Sequence, residues 1–345
     1  MADIGVPTAD RGAAGPMTLP ASIRAICPSA LFAALLFGAT WLVTAPPRQT
    51  IAIVAGYALV GGVGPPLLLA LIEQMTRPAG PRKSRRAWFM HLEITLAYAL
   101  VSIPFAFLAA YLATLAVKHL GLSLGLIDLR ISGDTGPTAF VLSILGTFCL
   151  TAVVGDFFFY WFHRTLHKSQ ILWQHHKMHH LDPAFDALTG TRHNWMEQLL
   201  SVFFIFVPMA ILFKMDRLDA VNAGLFNGGI IVLLTIVSYA NHTNMRIQFG
   251  WANLIFMSSQ THRIHHSPLA EHRNRNFAAI CPIWDVIFGT FYRAKWDEFP
   301  LTGLADEKEI QSVWEAQIFP LREWWKMFRA WRRARPATMA LSDEI

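Results

Sequence analysis

Residues 156–180 read DFFFYWFHRTLHKSQILWQHHKMHH, and their histidines decide how the chain is read. His163 and His167 stand in HRTLH, and His176, His179 and His180 in HKMHH; a third group, His262, His265 and His266, stands in HRIHH. Spacings of three and four residues put side chains on one face of a helix, so each group can aim its imidazoles at one point. A lone pair such as HRTLH is weak evidence, but HxxHH occurs twice here. Eleven of the 14 histidines fall between His163 and His266, so they are concentrated in one region.

What surrounds these groups is apolar. Of the 345 residues, 54% are hydrophobic and 15% charged, with mean hydropathy +0.37, a composition unlike that of an ordinary water-exposed surface. Crossing a bilayer takes roughly 20 apolar residues. Windows of that kind run from Ala25 to Pro47, Gln49 to Ile72, Ile94 to Val117 and Thr135 to Gly155. Two more, Leu199 to Phe213 and Ala220 to Asn241, flank the turn KMDRLD. The first of this pair has 15 residues, so the pair is expected to form a hairpin that dips into the membrane or crosses it. The expected fold class is an all-α integral membrane protein with about four transmembrane helices, a hydrophobic hairpin and a histidine-rich helical cap.

The loop RPAGPRKSRR carries Arg77, Arg82, Lys83, Arg85 and Arg86 without one acid, which assigns it to the cytoplasm. Counting crossings from it puts the histidine cap, and everything after His242, at the cytoplasmic face. The net charge of +6 sits partly beside apolar stretches, where it suits an anionic leaflet rather than nucleic acid. Near the end, LREWWKMFRAWRRAR sets Leu321, Trp324, Trp325, Phe328 and Trp331 opposite Arg322, Lys326, Arg329, Arg332, Arg333 and Arg335. That pattern suits a helix lying in the membrane interface, or an amphipathic helix packed on a core. The start, with Asp3 and Asp10, reads as a disordered tail rather than a cleaved leader. The expected organisation is a tail over 1–24, a transmembrane region over 25–134, a catalytic domain over 135–305, and an interfacial helix with its tail over 306–345.

Imidazole is a neutral, borderline ligand for iron, zinc or copper, and one ion accepts about six donors, so eight histidines imply two metals. The HExxH pattern of zinc proteases is absent. Three cysteines, Cys27, Cys149 and Cys281, lie too far apart for a cysteine metal site. Two irons bound mainly by histidine suit activation of dioxygen next to a greasy substrate. Asp156, Tyr160, His163 and His167 form one helical stripe, so Asp156 or Tyr160 could bond a ligand ring and fix its tautomer; Asp156 could equally mark the membrane boundary.

From DFFFYWFHRTLH through HHKMHH and TRHNWMEQ to THRIHHSPLAEHRNRNFAAICPIWDVIFGTFY, roughly 153–293, the sequence resembles the fatty acid hydroxylase/sterol desaturase superfamily of integral membrane di-iron oxygenases. The HxxxH, HxxHH and HxxHH boxes stand in that family's order, and WDxxFGT is present at Trp284–Thr290. The resemblance implies that His163, His167, His176, His179, His180, His262, His265 and His266 bind two iron ions. It points to His242 in ANHTN as a further ligand, the alternative being a helix-end histidine bonded to a carbonyl. TRHNWMEQ is similar to an Arg-x-His-Pro-x-Glu element, which makes His193 and Glu197 supporting or additional ligands, although Asn194 replaces the proline. Asn276 and Asp285 match positions expected to tie the third box to the end of the fold.

The expected activity is hydroxylation of a membrane lipid with O2 as co-substrate. No dinucleotide fingerprint or haem-binding extension is present, so electrons are expected from an external reductase, cytochrome or ferredoxin. Lipid or sterol desaturation at the same site is the alternative within this chemistry. From other classes stand a zinc-dependent membrane hydrolase and a bis-histidine haem electron carrier.

Overall fold

The computed structural model describes residues 62–76, 79–127, 136–214, 236–304 and 307–334, together with Gly56. Their regular structure is helical; among the described residues the one strand-like pairing is an isolated parallel bridge between Ile127 and Phe213. The helices are α1 (Gly64–Met75), α2 (Arg85–His119), α3 (Pro137–Lys168), α4 (Gln170–His180), α5 (Trp195–Leu212), α6 (Ser259–His265), α7 (Ile283–Ile287) and α8 (Val313–Ala334), with a further helical stretch over 236–241.

Three helices among the described residues are long and apolar enough to cross a membrane: α2, α5 and the Val141–Lys168 part of α3. Leu100, Leu112, Leu142, Leu145 and Phe203 are exposed on them, as lipid-facing residues would be. The expected span Ile94–Val117 falls inside α2, and the part of Thr135–Gly155 from Pro137 onward falls inside α3. Ala25–Pro47 lies outside the described residues, as do half of Gln49–Ile72, whose end enters α1, and most of Ala220–Asn241. The arm expected over Leu199–Phe213 starts earlier, because the Asn194 side chain accepts the Glu197 amide and caps a helix beginning at Trp195. With 18 residues that helix is about 27 Å long, close to the hydrocarbon thickness.

Asp156 does not end the third helix. α3 continues without a break to Lys168 and carries His163 and His167 about two and three turns beyond Asp156. A single rigid element therefore joins the apolar span to the site.

Two helices widen at matching places. α2 contains a π turn at Tyr98–Ser102 just before Pro104, and α5 one at Val202–Phe206 just before Pro208. Proline lacks an N–H and its ring collides with the carbonyl four residues back. The wider turn absorbs the collision, and the amides of Ile103 and Val207 reach back five residues to the carbonyls of Tyr98 and Val202.

The cap is held by an apolar cluster and a charged one. Ile94 of α2, Met178 and Leu181 at the end of α4, and Val313, Ala316 and Phe319 of α8 pack together with Ile310. Beside them Lys83, almost fully buried, pairs with Asp182 at 2.8 Å and Asp186 at 2.6 Å. Arg192 Nη1 lies 2.8 Å from His91 Nε2 and 3.4 Å from Glu309. Burial alone would push Asp182 up, but Lys83, with His91 and Arg192, holds its carboxyl well below the usual range. Gly80 donates its amide to Asn244 Oδ1, and Lys83 donates to the Ala184 carbonyl. The basic loop and the histidine cap thus share one face of the molecule. α8 divides its roles: its first half is in the core, whereas Trp325 and Phe328 of its second half are exposed.

Candidate metal centre

Local chemistry aims the three histidine groups at one another. The Ser169 amide bonds the Thr165 carbonyl at the end of α3, and its hydroxyl accepts the Leu172 amide to start α4. α3 and α4 consequently pack together, with Met178 turned to the core and His176, His179 and His180 turned to the site. Ser258 caps α6 in the same way through the Thr261 amide, and α6 brings the third group in.

The nine histidines form two groups. Ring nitrogens of His163, His167, His176, His180 and His265 lie within 4.8 Å of one another, and so do those of His179, His242, His262 and His266. In the first group His163 Nδ1 donates to the Phe277 carbonyl at 2.7 Å, His265 Nδ1 to the Arg275 carbonyl at 2.8 Å, and His176 Nδ1 to Glu197 Oε1 at 2.8 Å. A carbonyl or carboxylate only accepts, so each ring carries its proton outward and presents an Nε2 lone pair inward. His163 and His176 thereby face each other, Nε2 to Nε2, at 2.9 Å. Buried Nε2 atoms of His167, His180 and His265 have no hydrogen-bond partner.

The second group repeats the pattern. His242 Nδ1 donates to the Ser238 carbonyl one turn back, at 2.5 Å. Its Nε2 stands 3.0 Å from both His179 Nε2 and His262 Nε2, and His262 Nε2 stands 3.2 Å from His266 Nε2. His242 thus bonds a helix-end carbonyl, as one reading of the sequence had it, and that bond turns its other nitrogen to the cluster.

Burial, then mutual repulsion among neighbouring imidazoles, holds His179, His180, His262 and His266 well below the ordinary histidine pKa. Burial pushes His242 and His265 down to about 3, although their carbonyl bonds oppose it. These six rings are therefore neutral near pH 7. Facing lone pairs at about 3 Å repel unless a cation stands among them, and neutral nitrogen donors in sets of five and four fit iron, zinc or copper.

Glu197 and His193 are brought to this site: with His176 they form a third close group, and the His193 ring stacks on His179 at 4.5 Å. Asp156 and Tyr160 are not brought to the rings. Asp156 accepts the backbone amides of Ala279, Ile280 and Cys281, and Tyr160 bonds Thr290 and Arg164. They share a helical stripe with His163, but Asp156 lies seven residues below it, about 10 Å along the axis, where segment 277–290 covers the helix. That segment is tied down as expected. The Asn276 carboxamide bonds the backbone of Thr261 and Tyr292, and Asp285 accepts the Ala278 amide and the Thr290 hydroxyl.

Sequence reading missed the carbonyls of Phe277, Arg275 and Ser238, since a backbone acceptor leaves no residue signature. It also missed the Lys83–Asp182–Arg192 network, because Lys83 stands in the basic loop, far from both partners in sequence.

Beneath the rings lies a cavity of about 170 Å³. His163 and His176 of one group and His179, His242 and His262 of the other form part of its wall, opposite Phe159, Phe162, Leu166, Ile205 and Phe206. Both π turns border it, through Tyr98 and through Ile205 and Phe206.

Comparison with known proteins agrees with this geometry. The sequence model of the fatty acid hydroxylase family matches residues 148–290. Alkylglycerol monooxygenase of Danio rerio is 28% identical over 50% of this chain and 36% of its own length. The Homo sapiens alkylglycerol monooxygenase is 32% identical over 39% of this chain and 28% of its own, and the ornithine lipid hydroxylase of Rhizobium tropici 26% over 46% and 44%. The chain thus spans less than half the length of each of these relatives. No solved structure matches it. Over residues 148–290, which hold all nine gathered histidines, the chain is similar to the fatty acid hydroxylase family.

Proposed function

We propose that this chain is a membrane-bound lipid hydroxylase that uses two iron ions, O2 and electrons from an external reductase, cytochrome or ferredoxin. The observation that carries the reading is the gathering of nine histidines into groups of five and four beside an apolar-walled cavity. His163, His167, His176, His180 and His265 would hold one ion, and His179, His242, His262 and His266 the other. The ions, when bound, supply the oxidant that an unactivated C–H bond requires and that acid–base groups cannot.

The protein's part is placement. Glu197 and the carbonyls of Phe277, Arg275 and Ser238 fix the ring tautomers, and His193 supports His179 and Glu197. Phe159, Phe162 and Phe206 exclude water and seat the lipid. The basic loop shares the face of the histidine cap, which supports a site on the cytoplasmic side and lipid entry from that leaflet. The relatives named as acting on alkylglycerol and on ornithine lipid support a lipid substrate.

The test is iron-loaded protein in nanodiscs supplied with a lipid extract, a reductant and isotopically labelled O2. Two irons per chain and one labelled oxygen atom gained by a lipid are expected. Loss of two hydrogens instead would identify a desaturase. Lipid turnover without O2 would overturn the reading in favour of a zinc hydrolase. His179→Ala and His265→Ala should each lose one iron and abolish turnover while the protein still inserts.

A further inference from the structure

The cavity beneath the two histidine groups is not uniformly apolar. Tyr98 of α2 and Gln198 of α5 line it, and neither side chain has a hydrogen-bond partner among the described residues. Tyr98 begins the π turn that Pro104 imposes, and its ring lies 6.0 Å from His193. Gln198 is one residue beyond Glu197, the carboxylate that holds His176. A phenol and a carboxamide therefore stand uncommitted within the chamber that touches both groups of rings.

Such groups constrain what fills the chamber. A hydrocarbon chain would strip both of water and return nothing, which disfavours binding. A lipid oxygen bearing lone pairs, as in an ether, ester or hydroxyl linkage, can accept from the Tyr98 hydroxyl and the Gln198 amide together. Tyr98 and Gln198 share the wall of this one cavity with His163, His176, His179, His242 and His262. The oxygen held by Tyr98 and Gln198 and the carbon presented to the metals must then belong to the same short segment of the lipid.

We propose that Tyr98 and Gln198 are specificity-determining residues that bind an oxygen-bearing linkage of the lipid, so that the carbon oxidised lies within a few bonds of that linkage and not in the middle of a chain. This rests on the lipid-hydroxylase reading above. It adds the chemical class of the substrate segment and the side chains that recognise it.

The experiment has a binding arm and a product arm. Zinc-loaded protein, which binds without turnover, is titrated with 1-O-hexadecylglycerol and with hexadecane. The glyceryl ether should bind at least about tenfold more tightly, and Tyr98→Phe and Gln198→Leu should each weaken it about tenfold with metal content unchanged. Tyr98→Phe removes one oxygen atom and keeps the ring, so it guards against a folding defect. In iron-loaded protein the new oxygen should appear near the linkage. Equal binding of ether and hexadecane, wild-type binding by both variants, or mid-chain insertion would overturn the proposal. Selective ether binding by zinc-loaded protein, with no lipid oxidised by iron-loaded protein, would leave the chamber assignment standing and sink the hydroxylase reading.

Discussion

Asp285 holds His163 through the backbone of one residue, Phe277. Its Oδ1 accepts the Phe277 amide at 2.7 Å, and the carbonyl of that same residue accepts the His163 Nδ1 proton at 2.7 Å. A carboxylate from the WDxxFGT segment thus sets the tautomer of a box-one imidazole without touching it, and its second oxygen holds the Ala278 amide at 2.9 Å.

Asp285→Ala should therefore act at a distance. It leaves two amides in a buried site without an acceptor, which costs about 3 kcal/mol, and frees His163 to rotate. Thermal unfolding should show that loss, and metal analysis should show the five-histidine group depleted before the four-histidine one. Asp285→Asn, which retains one acceptor oxygen, should do less on both counts.

Glu197 supports the same group from the other side, through His176 Nδ1 at 2.8 Å. Removing a carboxylate that orients a metal-bound imidazole lowers metal affinity about ten- to a hundredfold. Glu197→Ala should show that loss in a competitive chelator titration. His193→Phe, which keeps a ring stacked on His179, should lose less.

Lys83 is expected to matter for folding and not for chemistry. Its ammonium is buried between Asp182 and Asp186, and breaking a buried pair from one side costs about 3–5 kcal/mol because the stranded charge remains. Lys83→Met should lower the thermal midpoint strongly. In the protein that survives, metal affinity per folded molecule should be near wild type.

Acid should unfold the metal-free protein early. Histidine in an unfolded chain titrates near 6.5, whereas burial holds His242 and His265 at about 3 and their neighbours well below the ordinary value. Between about pH 3 and 6.5 the unfolded chain binds protons that the folded one refuses. Stability is then complete above pH 6.5 and falls on acidification, by about 1.4 kcal/mol per pH unit for each such ring. Thermal midpoints of metal-free protein measured from pH 8 to pH 5 should be flat at first and drop below 6.5.

Much of this was legible along the chain. Histidine spacing follows helix geometry, so HRTLH, HKMHH and HRIHH could be read as three convergent faces, and apolar windows marked α2 and α3, because both signals are periodic and local. The sequence reads helix α5 short, since its start depends on one capping side chain, Asn194, five residues before the apolar run.

Other features exist only once the chain is folded. The division of nine histidines into groups of five and four, with His265 in one and its neighbour His266 in the other, depends on how α6 is rotated against α4. The partners that fix each tautomer are mostly carbonyls, and every residue has one; only packing selects those of Phe277, Arg275 and Ser238. Asp156 shows the limit of periodicity: a helical stripe fixes the direction in which a carboxylate points, but which segment of chain lies there is settled by contacts more than 120 residues away in sequence.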